Sequence, residues 1–134
     1  MNNCFNGVCT KWTVGDAVRE ILVNNESVYD AVGENIYPIV APEGTVDPFI
    51  VYYRDKYRRE TSKMGIVEDE CNVVITILSA DYDEGANIAG LVDSVLFGKH
   101  TNDETGCTFD FELVDGTEGF EDNKYYQQMV YRIS

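Results

Sequence analysis

Four cysteines, one histidine and 24 carboxylates are the residues of this 134-residue chain that could do chemistry. Nucleophilic catalysis needs a nucleophile with an adjacent base. The single base candidate, His100, sits in the polar stretch GKHTNDETG (98–106), just past an expected helix end. There an imidazole interacts favourably with the helix dipole, which is the role the position implies. Cys71 and Cys107 each precede an expected strand, and Cys71 follows Glu68, Asp69 and Glu70, carboxylates that do not lower a thiol pKa. Cys4 and Cys9 lack the second pair or the histidine that a tetrahedral metal site requires.

The acidic clusters fare no better as ligands. Asp81 with Glu84 three residues on reads as a capping box at a helix N-terminus, where carboxylates meet the positive end of the dipole. A calcium loop starting at Asp81 would need a bidentate acid at its twelfth position, and that position is Val92. Gly85 and Gly90 have the spacing of a phosphate loop, but Leu91 and Val92 stand where lysine and a hydroxyl residue must be. Residues 115–122 are acid-rich without the ligand spacing of a calcium loop. The expectation is a protein that is not an enzyme, with no catalytic residue, no metal and no cofactor.

Stepping from candidate groups to the elements that carry them, residues 1–12 show no sustained period and read as an irregular or extended N-terminal arm. Residues 13–134 read as a single domain. Thr13 stands as an N-cap with Asp16 three residues later, and Val14, Ala17, Val18, Ile21 and Leu22 mark one helical face ending near Asn24 and Asn25. A short turn over 27–32 precedes Gly33. All three prolines, Pro38, Pro42 and Pro48, lie within IYPIVAPEGTVDPFIVYY (36–53). Proline donates no backbone hydrogen bond, so this stretch predicts an edge strand over 36–40, a turn, and then a buried strand from Phe49.

Alternation along 49–58 puts Phe49, Val51, Tyr53 and Tyr57 on one face and Ile50, Tyr52, Arg54, Lys56 and Arg58 on the other. A loop over 59–69 bending at Gly65, a central strand over 70–80, a helix from Asp81 to about Phe97 and two strands near 109–113 and 125–133 complete the chain. The fold class expected is α+β: a mostly antiparallel sheet of about five strands with two helices on one face, in the order α-β-β-β-α-β-β.

Composition bounds the function further. No apolar run reaches the length of a membrane span, and no charged-then-apolar start reads as a signal peptide, so a cytoplasmically made product with free thiols is expected. The net charge is −14. Residues 1–67 carry seven basic and nine acidic groups, and residues 68–134 carry three and fifteen. That balance argues against nonspecific nucleic-acid binding. Five of the ten basic residues, Arg54, Lys56, Arg58, Arg59 and Lys63, fall in one short window.

The order of elements and their local sequences resemble the tail-completion, or tail-terminator-like, proteins of long-tailed bacteriophages and prophages. The residues that carry the resemblance are the helix 14–24, Ile36-Tyr37-Pro38 with Ala41-Pro42-Glu43-Gly44, Pro48-Phe49-Ile50-Val51-Tyr52, the strand-then-helix block 73–96 with Tyr82, Ala86 and Ala89, and the closing Met129-Val130-Tyr131-Arg132-Ile133. The resemblance covers 13–134; the cysteine-containing arm and the lengthened loop 98–107 depart from it. It implies a structural protein of the virion that caps the tail tube and helps form the head–tail junction, built as a head-to-tail ring, often of six copies. Its implied partners are copies of itself, the tail-tube protein and head–tail connector proteins, with DNA passing through the ring and no membrane. The alternative is a monomeric head–neck adaptor. The basic window (Arg54, Lys56, Tyr57, Arg58, Arg59 and Lys63) is the candidate subunit interface, set against an acidic surface from the C-terminal half.

Overall fold

The computed structural model describes residues 4–5, 8–9, 11–61, 67–102 and 106–134, with the side chains of 4–11, 59–61 and 67–69 left aside. Two short strands, β1 (Cys4–Phe5) and β2 (Val8–Cys9), pair antiparallel, so the expected irregular arm contains a small hairpin. The Asn6-Gly7 turn, the Gly65 bend and Lys63 lie outside the described residues. A 3-10 turn (Lys11–Thr13) then leads into α1 (Val14–Val23), followed by α2 (Glu26–Val32), β3 (Ile36–Pro38), β4 (Phe49–Thr61), β5 (Val67–Ser79), α3 (Tyr82–Leu96), β6 (Gly98–Thr101), β7 (Thr108–Glu121) and β8 (Lys124–Ile133).

The larger sheet has six strands in the order β3-β4-β5-β8-β7-β6. The α+β class holds, but the expected architecture is corrected: the sheet has six strands and not about five, the edge strand ends at Pro38 and not at residue 40, and the loop expected over 59–69 is strand at 59–61 and 67–69. The turn before Gly33 is a third helix, α2, because Asn25 caps it by accepting the Val28 N–H at 3.1 Å. The polar loop after α3 holds a strand, β6, which pairs with β7 from Gly98↔Phe111 to Thr101↔Thr108. The segment expected as turns over 115–123 is strand as far as Glu121, and only Asp122 and Asn123 turn, both with positive φ. Cross-strand pairing with β8 outweighs the poor strand propensity of its acids and glycines. The sheet is also mixed, since β3 runs parallel to β4.

All three helices pack on one face. Val14, Val18, Leu22, Val28, Ile88, Val92 and Leu96 meet Ile50, Tyr52, Val73, Ile75, Ile77, Phe111, Tyr131 and Ile133 in a single core. The opposite face, with Val51, Thr76, Leu78 and Gln128, is only partly buried. The Asp81 cap at α3 is present, Asp81 Oδ2 accepting the Glu84 N–H at 3.0 Å, but the reciprocal half of the capping box is replaced. Asp81 N–H donates to the wholly buried Ser79 hydroxyl at 3.1 Å, and that hydroxyl donates to Glu84 at 2.7 Å. The cap expected at Thr13 is not. Thr13 ends the 3-10 turn and makes no side-chain cap, and its Oγ1 is buried with no hydrogen-bond partner among the described residues.

The proline-rich stretch forms an edge that is closed to further strands. Ile39 N–H and the Ile50 N–H bind across the β3–β4 seam, to Tyr52 O and Asn35 O, at 2.8 and 2.9 Å. The groups of β3 on the other side are already occupied: Ile36 N–H donates to Glu34 O, Ile36 O accepts from Arg19 Nε at 3.2 Å, and Pro38 O accepts the Val40 N–H. Pro38 itself has no donor.

Candidate functional site

The basic window lies on β4, where the sheet narrows to two strands. β3 covers β4 only from Ile50 to Tyr52, and β8 stops opposite Cys71, the partner of Tyr57, so from Arg58 onward only the β4–β5 hairpin remains. That hairpin does not carry its basic residues as a single face. A register shift between Arg54 and Lys56 makes Asp55 an extra residue, and everything after it changes sides. Arg54 stays on the helix side opposite Val73, and Tyr57 joins it there opposite Cys71, while Lys56 and Arg58 face the other way opposite Asn72 and Glu70. Simple alternation, which placed Arg54 with Lys56 and Arg58, misses this because a one-residue bulge leaves no mark in the hydrophobic pattern.

On the helix side, the Arg54 guanidinium lies 4.4 Å from the Trp12 ring centroid and donates to Trp12 O at 3.0 Å, and Trp12 packs on Tyr57 at 4.9 Å. A stacked guanidinium of this kind fixes the start of α1 to the hairpin. On the other side, Lys56 and Arg58 both bind Glu70, at 3.3 and 3.1 Å. The hydrogen bond from Lys56, its charge and then Arg58 hold the Glu70 carboxyl below its ordinary range. Arg59 stands opposite Asp69. Over residues 54–70 the five basic residues are matched by five acidic ones, so the hairpin as a whole is neutral. The expected basic edge is thus basic in strand β4 and acidic in the strand beside it.

One exposed apolar loop stands apart from this hairpin in sequence. Ile39, Val40 and Val46 are 74%, 72% and 73% exposed on the loop joining β3 to β4. Ile39 holds φ at 66°, a conformation that a β-branched residue adopts only under strain. The loop is held in place at its far end by Lys124 Nζ, 2.6 Å from Asp47. Neither Ile39 nor its neighbours serve the core, and apolar side chains fixed in solvent mark contact surfaces. Ile39 and Val40, expected in the edge strand over 36–40, lie instead in the loop, and their strand-forming side chains give no sign of this exposure in the sequence.

The groups singled out for chemistry do not assemble into a catalytic site. His100 Nε2 lies 2.9 Å from Leu96 O at the end of α3 and packs edge-on against Phe111, as expected of a residue at a helix C-terminus. It shares a cavity of about 170 Å³ with Glu20, Asn24, Asn102 and Cys107. Cys107 is disulfide-bonded, which corrects the expectation of free thiols and removes it as a nucleophile for His100. Cys71 is a buried thiol beneath the helices. Among the described residues no group of three or more His, Cys, Asp and Glu is placed to hold a metal, and no helix is long and apolar enough to cross a membrane.

This is an α+β fold with a helix layer on one face of a mixed sheet and two long hairpins. A solved chain from the virion of a native gene transfer agent (GTA) particle has the same fold: the TM-score is 0.71 at 14% identity, over 90% of this chain and 92% of that one. No family profile and no curated protein matches the sequence.

Proposed function

We propose that this chain is a structural protein of a phage-like virion, a tail-completion protein that caps the tail tube and helps form the head–tail junction. The observation that carries the reading is the fold shared with a GTA virion chain along nearly the whole length of both. In this reading copies assemble head to tail into a ring, with six as the expected number. The β4–β5 hairpin, with Arg54, Lys56, Tyr57, Arg58, Arg59 and Lys63, and the exposed loop at Ile39, Val40 and Val46 supply subunit and neighbour contacts. Heterologous contacts of this kind close into a ring when the rotation between copies divides a circle. The excess of acids keeps passing DNA from binding the ring.

The test is assembly on a tail tube. Purified protein mixed with tail tubes should give rings at one tube end by negative-stain imaging, and particles lacking the protein should show unjoined heads and tails. Tubes that stay bare, or complete particles in its absence, would remove the reading. A protein that binds the neck as a monomer would favour an adaptor instead.

A further inference from the structure

We propose that the outer edge of β7 over residues 112–121 is a strand-addition site for an extended, basic segment of another protein. β6 pairs with β7 only as far as Phe111, and among the described residues no strand lies beside residues 112–121 on that side. Residues 112–118 are all exposed. A register shift between Leu113 and Asp115 makes Val114 an extra residue, so the regular edge is residues 115–121, roughly 23 Å of strand and still long enough to accept an added strand.

The hairpin turn sets which backbone groups face outward. Glu121↔Lys124 closes a two-residue turn at Asp122 and Asn123, so this pair is hydrogen-bonded and the bonding alternates from there. Residues 117, 119 and 121 therefore bond to β8, and the N–H and C=O of Gly116, Glu118 and Phe120 point away from it. Gly116 N–H donates to the Asp115 carboxylate at 2.9 Å, in agreement with that parity. The amides of Glu118 and Phe120 remain for a partner.

Charge then selects the partner. Glu112 is paired with Arg132 and Glu118 accepts from Tyr82 and Gln127, whereas Asp115, Glu121 and Asp122 form no ion pair among the described residues, Lys124 opposite Glu121 being bound to Asp47. None of this chain's own edges is the complement. β3 is closed by Pro38 and Arg19, Lys56 and Arg58 of β4 are paired with Glu70, and two β7 edges brought together would set acids against acids. Natural edges are usually blunted against pairing. This edge is blunted against copies of itself and left open to a basic strand, with exposed Leu113, Val114 and Phe120 to pack beneath it. The proposal goes beyond the tail-completion reading and stands without it.

The probe is a blocked ten-residue peptide alternating lysine with valine, compared with a peptide of equal charge whose valines are prolines. Amide hydrogen exchange of the intact protein at physiological salt is the readout. The valine peptide should slow exchange at Glu118 and Phe120 by tenfold or more, and the proline peptide should not. Phe120→Pro, checked for folding by circular dichroism, should weaken binding of the valine peptide at least tenfold. The Asp115→Asn/Glu121→Gln double variant, which keeps every amide, should weaken it several-fold. Equal effects of the two peptides, or slowing elsewhere on the surface, would overturn strand addition. Slow exchange at these two amides in a peptide-free oligomer would overturn the choice of partner.

Discussion

Tyr131 and Asp93 are joined by a 2.6 Å hydrogen bond that ties the inner face of β8 to α3. Tyr131 is completely buried, and burial, followed by the Asp93 hydrogen bond and charge, raises its phenol pKa far above the usual 10.0. A phenol kept protonated in the fold ionises in the unfolded chain above about pH 10, where the unfolded state then holds fewer protons than the native one. Its contribution is complete below pH 10 and is lost as pH rises beyond it. Tyr131→Phe should cost about 1–2 kcal/mol at neutral pH, lowering Tm by about 4–7 °C. The variant should also lose less stability than the parent between pH 10 and 11. Thermal melts across that range measure both effects, and parallel pH profiles would show that Tyr131 is not the group responsible.

Thr13 offers the opposite outcome. Its hydroxyl is buried, with no partner among the described residues, at the junction of the 3-10 turn and α1. Replacing an unsatisfied hydroxyl by a methyl of the same shape removes a desolvation cost of about 1 kcal/mol. Thr13→Val should therefore raise the denaturation midpoint without changing the slope of the transition in urea. A lower midpoint would mean that the hydroxyl is satisfied in solution.

Asp81 should behave as a true cap. Its carboxylate holds the Glu84 N–H, and Ser79 holds both Asp81 N–H and the Glu84 carboxylate. Asp81→Ala should destabilise the protein by about 1 kcal/mol, and Asp81→Asn by much less, since asparagine caps nearly as well. Equal losses in the two variants would shift the explanation from the cap to the charge of Asp81.

Glu70 links stability and assembly at one residue. Lys56 and Arg58 depress its carboxyl pKa, so its ion pairing contributes above its ordinary 4.5 and disappears as pH falls through the lowered value. Because the pair is exposed, Glu70→Gln should leave Tm at pH 7 nearly unchanged. It also leaves Lys56 and Arg58 with one acid fewer beside them. If the hairpin joins copies through its cations, the variant should assemble more strongly at low salt, and Arg58→Glu more weakly. Sedimentation at two salt concentrations reads this directly, and unchanged assembly in both variants would exclude the charges of this hairpin from the contact.

The sequence by itself determined the elements whose signals are local. The stripe from Val14 to Leu22, the N-cap at Asp81 and the alternation around Val73 to Ile77 appear where residue spacing placed them, and the proline-marked edge appears as a shorter strand ending at Pro38. Each depends on neighbours within one or two turns or on proline's missing donor, and the chain order alone contains that information. The tertiary structure decided what depends on pairing across distance. It made strand out of the acidic segment before Asp122, turned the loop at Gly98 into β6, and parted Arg54 from Lys56 and Arg58 by the single extra residue Asp55. It also placed Glu70 against Lys56 and Arg58, pairing two members of a cluster that stands out in linear order. Register sets these relationships, and a shift of one residue reverses every side chain beyond it.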